Sequence, residues 1–286
     1  MSERRGELLM VATVVLDSAF PLLTLIILTY LPPISSYALT LLFATLFLLL
    51  FGFWRGNMVL VRAGVPPLLI ASALITLMFS LIFIGLTTTS ATHAAVLIFC
   101  QLFFAFIYFN LAGGEPIPKH HLLGALLMAV GALVILVPTD WEIVIGDGLI
   151  LLAAAIAPWA NLYQKRARCY LSAELILAFR SLMALPVLLL LMLWLEPWPE
   201  REAVVSALPW LVINGVLMMG VAKIFWIEAI SAISITKASA MTAWVPVLTL
   251  FLVWLLFNEP PTGKQLAGMV PVVIGGWLIT QSRPLR

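Results

Sequence analysis

The sequence predicts an all-α membrane protein of ten transmembrane helices, built as two inverted repeats of five, with both termini in the cytoplasm. Three observations carry this. The 286 residues are 63% hydrophobic and only 10% charged, against about 25% charged in an ordinary soluble domain. Apolar runs of roughly 20 residues, the length that crosses a bilayer core of about 30 Å, recur along the chain. The stretch GGEPIPKHHLLG at 113–124 returns as FNEPPTGKQLAG at 257–268.

The runs lie at about 7–31, 36–54, 65–86, 91–111, 121–137, 148–165, 173–195, 210–230, 236–256 and 265–281, with ends uncertain by roughly 2 to 4 residues. The first follows MSERRGELLM, and no small-residue cleavage site follows a short apolar core, so it is expected to remain as a helix. Pro32 and Pro33 separate the first run from the second, and Arg55 to Arg62 separate the second from the third. Beyond these, charge, Pro and Gly clusters divide the rest; the fifth and tenth runs sit at the lower limit for spanning. Alternating strand patterns are absent, which argues against a β-barrel.

Orientation follows from the basic residues. Arg4, Arg5, Arg55, Arg62, Lys119, Lys165, Arg166, Arg168, Lys237, Arg283 and Arg286 fall on one side of this topology, and only Arg201 and Lys264 on the other. The positive-inside rule places the first side in the cytoplasm. Asp140, Glu142, Asp147, Glu196, Glu200, Glu202 and Glu259 fall outside. Two cysteines, Cys100 and Cys169, lack metal or redox spacing and are read as packing residues.

Sliding the chain against itself by the spacing of Glu115 and Glu259 aligns Ser90 with Ser234, Thr92 with Thr236, Pro116 with Pro260, Gly124 with Gly268 and Gly131 with Gly275. Glu-Pro ends a helix in each half, and the two Gly that follow share a face where a neighbouring backbone can approach closely. Five helices per half is an odd number, so the copies insert with opposite orientation. The repeats are expected at 1–140 and 141–286. Inverted repeats of this kind expose a midplane site alternately to the two sides of a membrane.

With segments 90–135 and 234–279 and the stretch AAIAPWANLYQKRA around Trp159 and Asn161, the chain resembles the drug/metabolite transporter superfamily, EamA type. The first half departs from the pattern: Asp17 and Ser18 stand where the second has Trp159 and Ala160, and Ala44 where it has Arg180. The resemblance implies that helices 1, 3, 4, 6, 8 and 9 surround a central cavity with 5 and 10 outside. That places Asp17 and Lys223 on cavity helices.

Pro21, Pro158, Pro186, Pro246 and Pro271 fall near the middle of their helices, where the bilayer cannot replace a lost backbone hydrogen bond. With His93, at a helix start, the first four are the candidate hinge or gating positions. A solvated helix end is the simpler reading of His93. Asp17, Lys223 and Arg180 lie within spans, where an ionised residue costs at least about 2.5 to 3.5 kcal/mol and so needs a partner. Asp17 and Lys223 are expected to face one another and either bind the charged ends of a zwitterionic substrate or form a pair that such a substrate disrupts; a structural ion pair is the alternative. Gln101, Asn161, Tyr163, Asn214, Trp159, Trp226 and Trp244 are candidates for a polar and aromatic lining; for each alone, helix packing or an interfacial Trp is the simpler reading. Glu228 and Glu174 are expected near Arg180 or interfacial water, and Trp194 and Trp198 as interfacial anchors.

No nucleophile with a base, no metal cluster and no phosphate loop is present in the sequence, so neither an enzyme nor an ATP-driven pump is expected, nor any cofactor. The expected function is secondary transport, as exporter or facilitator, of small polar metabolites such as amino acids or their derivatives. The alternatives are a membrane scaffold or sensor, or a carrier of nucleotide-like or amphiphilic cargo. Expected partners are the substrate, the lipid bilayer, a coupling proton carried by Asp17, and a second copy of the chain; nucleic acid is not expected. A bacterial inner membrane is the expected location.

Overall fold

The computed structural model describes residues 2–86, 88–89, 97–98, 100–111, 119–136, 143–258 and 260–280. Among these there is no strand. In chain order the helices are α1 (Glu3–Leu28), α2 (Pro33–Trp54), α3 (Val65–Leu86), α4 (Gln101–Phe106, continued as a π-helix over Ile107–Leu111), α5 (Lys119–Leu136), α6 (Ile145–Arg168), α7 (Ala173–Leu195), α8 (Arg201–Ala232), α9 (Ile235–Met241 and Trp244–Phe257) and α10 (Gly263–Thr280).

Seven of the described helices are long and apolar enough to cross a membrane: α1, α2, α3 with the turn before it, α6, α7, α8 and α9, with Leu122–Ile135 of α5 as a shorter apolar segment. Much of the expected fourth span, His93 included, lies outside the described residues. α8 begins earlier than its apolar run, because Arg201 and Glu202 extend the helix beyond the apolar stretch. Its 32 residues span about 48 Å, more than a bilayer core.

The ninth helix is broken where a kink at Pro246 was expected. Pro246 has no N–H to return to the Thr242 carbonyl; the Val245 amide takes that carbonyl instead at 2.9 Å, in a tight turn. The helix therefore stops at Met241 and restarts at Trp244. Pro21, Pro158, Pro186 and Pro271 lie inside continuous helices.

The most extensive packing is of α5 with α10, α3 with α6, α1 with α8 and α2 with α7. Each pair joins the first half of the chain to the second, and exchanging the halves maps this set of pairs onto itself. α5 and α10 meet backbone to backbone: a Cβ on Gly268 would lie 2.7 Å from the Gly131 carbonyl oxygen, and one on Gly131 would lie 2.5 Å from that of Gly268. Gly275 abuts the Gly124 carbonyl in the same way. These glycines thus join two helices within one chain, as small residues do where lipid offers no hydrophobic driving force.

The antiparallel α2–α7 pair is tied at both ends by a carboxylate. At one end Glu196 accepts hydrogen bonds from the amides of Ile34 and Ser35 at 2.7 and 2.8 Å and from the Ser35 hydroxyl at 2.7 Å. It so satisfies donors that the first turn of α2 leaves open. At the other, Glu174 accepts from Arg55 at 3.0 Å and Asn57 at 3.3 Å. Hydrogen bonds to a charged group contribute about 1.5 to 3 kcal/mol. Glu196→Ala is expected to lose an amount in that range, read as a lowered Tm in detergent, and Glu196→Gln less.

Candidate functional site

The charged pair anticipated from the sequence forms. Lys223 Nζ on α8 donates to both carboxylate oxygens of Asp17 on α1, at 2.9 and 2.8 Å. The side chains keep 23% and 17% of their surface accessible, so the pair is sheltered by the bundle without being sealed in it. Lys223 follows a π-helical stretch, Asn214–Val221. Such widened turns shift every later side chain around the helix axis and recur at functional sites. Here Gly215 and Gly220 let the widened turn approach α2: a Cβ on Gly215 would meet the Thr40 carbonyl oxygen at 2.6 Å, and one on Gly220 the Phe47 ring.

A second polar group begins one turn along α8, toward the basic end of the bundle. Trp226 Nε1 donates to Asn161 Oδ1 at 3.4 Å, and Gln164 Nε2 donates to the same oxygen at 3.1 Å. The Gln164 carbonyl oxygen accepts from Arg180 Nη1 at 2.7 Å. Asn161, Gln164 and Arg180 are all buried. Among the described residues, no carboxylate lies within ion-pair distance of Arg180. Glu228 and Glu174, expected near it, are instead engaged by Arg168 at 2.8 Å and by Arg55 at 3.0 Å. Their place on the end turns of α8 and α7 directs them to the arginines that end α6 and cap α2 rather than inward.

The basic end is further closed by Lys237, at the start of α9, which binds Glu3 and Glu7 of α1. Lys165 donates to the Ile233 carbonyl at 2.9 Å. A polar pocket of about 350 Å³ sits among Arg55, Asn57, Arg168, Ser172, Glu174 and Glu228. A second, of about 430 Å³, is an apolar groove between α3, α4 and α6, walled by Ile70, Leu74, Tyr108, Leu152, Trp159 and Tyr163. Neither pocket includes Asp17, Lys223 or Arg180.

The structure thus brings together Asp17 with Lys223, and Arg180 with Asn161 and Trp226. It separates others from them. Trp159 packs on Tyr108 and Phe109 at ring separations of 5.6 and 5.9 Å, and Tyr163 carries the Arg166 guanidinium over its ring; both line the outer groove. Trp244 sets its indole against Gly276 of α10. Asn214 donates to the Thr24 hydroxyl at 3.5 Å, nearer the opposite end, and Gln101 opens α4. Cys169 is exposed at the basic end, contrary to a packing role. Sequence reasoning missed Gln164, although its one-turn spacing from Asn161 on an apolar helix was the signal. It also missed the clasp of Glu3 and Glu7 on Lys237.

A model of the family described as EamA-like transporter family matches residues 4–137 and again 144–281. The uncharacterized transporter YoaV of Bacillus subtilis (strain 168) is 24% identical over 200 residues, which is 68% of this chain and 68% of that protein. A solved crystal structure with 20% sequence identity superposes with a TM-score of 0.80 and covers 98% of each chain, a likeness of fold.

Proposed function

We propose, from the premise that this chain belongs to the EamA-like transporter family and is a multi-pass membrane transporter of the drug/metabolite transporter superfamily, that it carries small polar metabolites by alternating access around the Asp17–Lys223 pair. The carrying observation is that pair: two opposite charges held at 2.8 Å, partly accessible, between a helix of each half. A charged residue inside a membrane protein marks a substrate or ion pathway by default. Cargo with a charged end competes for one partner as it enters, and its release lets the pair re-form.

The two matched segments support reading 1–140 and 141–286 as repeats; opposite insertion, ten spans and cytoplasmic termini complete the proposal. Exchange of two inverted halves then opens the site first to one side and then to the other. The ion pairs Lys237–Glu3, Lys237–Glu7 and Arg168–Glu228 are the contacts that part when the basic end opens. Asp17 is the carboxylate available to a coupling proton.

The test is thermal unfolding of the purified protein against amino acids, their amides and organic acids, with Lys223→Ala in parallel. A ligand at about 100 times its Kd stabilises the folded state by roughly 2.7 kcal/mol. A shift in the wild type that vanishes in Lys223→Ala is the expected result. Equal shifts in both proteins would remove the pair from the binding site.

A further inference from the structure

Arg180 is a buried cation whose side chain donates to the neutral amide of Gln164 and, among the described residues, meets no carboxylate. A second unmet demand lies on α3. Ser72 and Thr76 on α3 hold hydroxyl oxygens that are buried and make no hydrogen bond. Within a helix such hydroxyls ordinarily bond back to the carbonyl one turn earlier, and buried polar atoms without partners are rare.

The packing puts these groups at one level. Leu68, one turn before Ser72, joins the apolar cluster of Leu171, Leu175 and Leu177. Phe79, one turn after Thr76, packs on the cluster of Ala184 and Leu188. Ser72 and Thr76 are therefore level with the stretch of α7 between Leu177 and Ala184, on which Arg180 lies. The starts of α3 and α7 are also level, since a Cβ on Gly64 would meet Leu171 at 2.6 Å. At 1.5 Å per residue, Ser72 and Arg180 then each sit about 10 Å into their helices.

We propose that Arg180, Ser72 and Thr76 form an anion subsite that takes the carboxylate of the transported metabolite, so that the cargo carries a net charge of minus one. The assignment rests on the transport reading and narrows its substrate class. Asp17 and Lys223 neutralise each other, which leaves Arg180 as the uncompensated charge of the interior among the described residues. In a medium of low dielectric constant, a monoanion brings the site to neutrality. A zwitterion leaves one positive charge, and a cation leaves two. Arg180 offers donors in a planar fork matched to a carboxylate, and two hydroxyl donors complete its oxygens. The carboxylate reaches Arg180 when the ion pairs at the basic end part.

The full-length protein in proteoliposomes tests this with isosteric pairs that differ by one charge: glutamate against glutamine, and lactate against lactamide. Counterflow and thermal stabilisation are read together. Expected is at least a tenfold preference for an acid over its amide in the wild type, lost in Arg180→Gln and partly kept in Arg180→Lys. Ser72→Ala with Thr76→Ala, which breaks no hydrogen bond, keeps the fold and weakens acid binding several-fold. An unchanged preference in folded Arg180→Gln overturns the subsite, as does an unchanged affinity in the serine and threonine variant. Flux of glutamine or lysine with none of either acid overturns the subsite and leaves the transport reading standing. Flux of no probe of any charge overturns both.

Discussion

Lys223→Met alone is expected to destabilise the protein by about 3 to 5 kcal/mol and to abolish transport, whereas Lys223→Met combined with Asp17→Leu should fold nearly as well as the wild type and still not transport. The asymmetry comes from desolvation. In the wild type the two charges, 2.8 Å apart, offset the cost of leaving water by their attraction. Removing one leaves the other uncompensated, and breaking a sheltered pair in this way costs about 3 to 5 kcal/mol. Replacing both by apolar residues of similar volume removes the desolvation cost together with the attraction, and such exchanges are often neutral or stabilising. Unfolding of the single and double variants measures the structural part, and proteoliposome flux the functional part. A double variant that transports at the wild-type rate would make the pair a structural tie and take it out of the transport path.

The second large effect is expected at the α5–α10 seam. Gly131→Val should cost about 3 kcal/mol or more and lower the yield of folded protein, because its Cβ would meet the Gly268 carbonyl oxygen at 2.5 Å and the Pro271 ring at 2.9 Å. Neither obstacle is the flexible end of a side chain, so the helices must separate. Overpacking of a close-fitted interior commonly costs 1 to 3 kcal/mol, and separation also forfeits dispersion contacts along the whole seam. Gly148→Ala in α6 is the control: a Cβ there meets nothing within 4 Å. Ala should improve that helix by somewhat under about 1 kcal/mol. Detergent unfolding of the two variants should thus move in opposite directions. Equal stability of Gly131→Val and wild type would mean that the seam is looser than the backbone contacts imply.

Both expectations draw on features of unequal legibility in the sequence. The glycines at 124, 131, 268 and 275 were visible as a duplicated pattern, yet whether they served one chain or two copies was not. Asp17 and Lys223 were paired correctly because each was an expensive charge at similar depth with an opposite sign available. The same reasoning offered Glu228 and Glu174 either Arg180 or interfacial water, and it did not find their partners: the two carboxylates turn to Arg168 and Arg55. Trp159 and Tyr163 were candidates for the lining beside Asn161, with helix packing or an interfacial place as the simpler reading of each; they occupy the face of α6 that lines the outer groove.

The sequence by itself determined which segments are helices and apolar enough to enter a bilayer, the duplication of the chain, the family, and the depth of each charge along its helix. Those follow from composition, period and a rise of 1.5 Å per residue, all of which are local. The direction each side chain takes around its helix axis was decided only by the tertiary structure. The π-helical Asn214–Val221 rotates everything after it, the break at Thr242 re-aims the second part of α9, and close glycine contacts set which faces meet. Where a helix is apolar on most sides no amphipathic stripe encodes that rotation, so the pairing of Arg180 with Gln164, and the unpartnered hydroxyls of Ser72 and Thr76, emerge only when the helices pack.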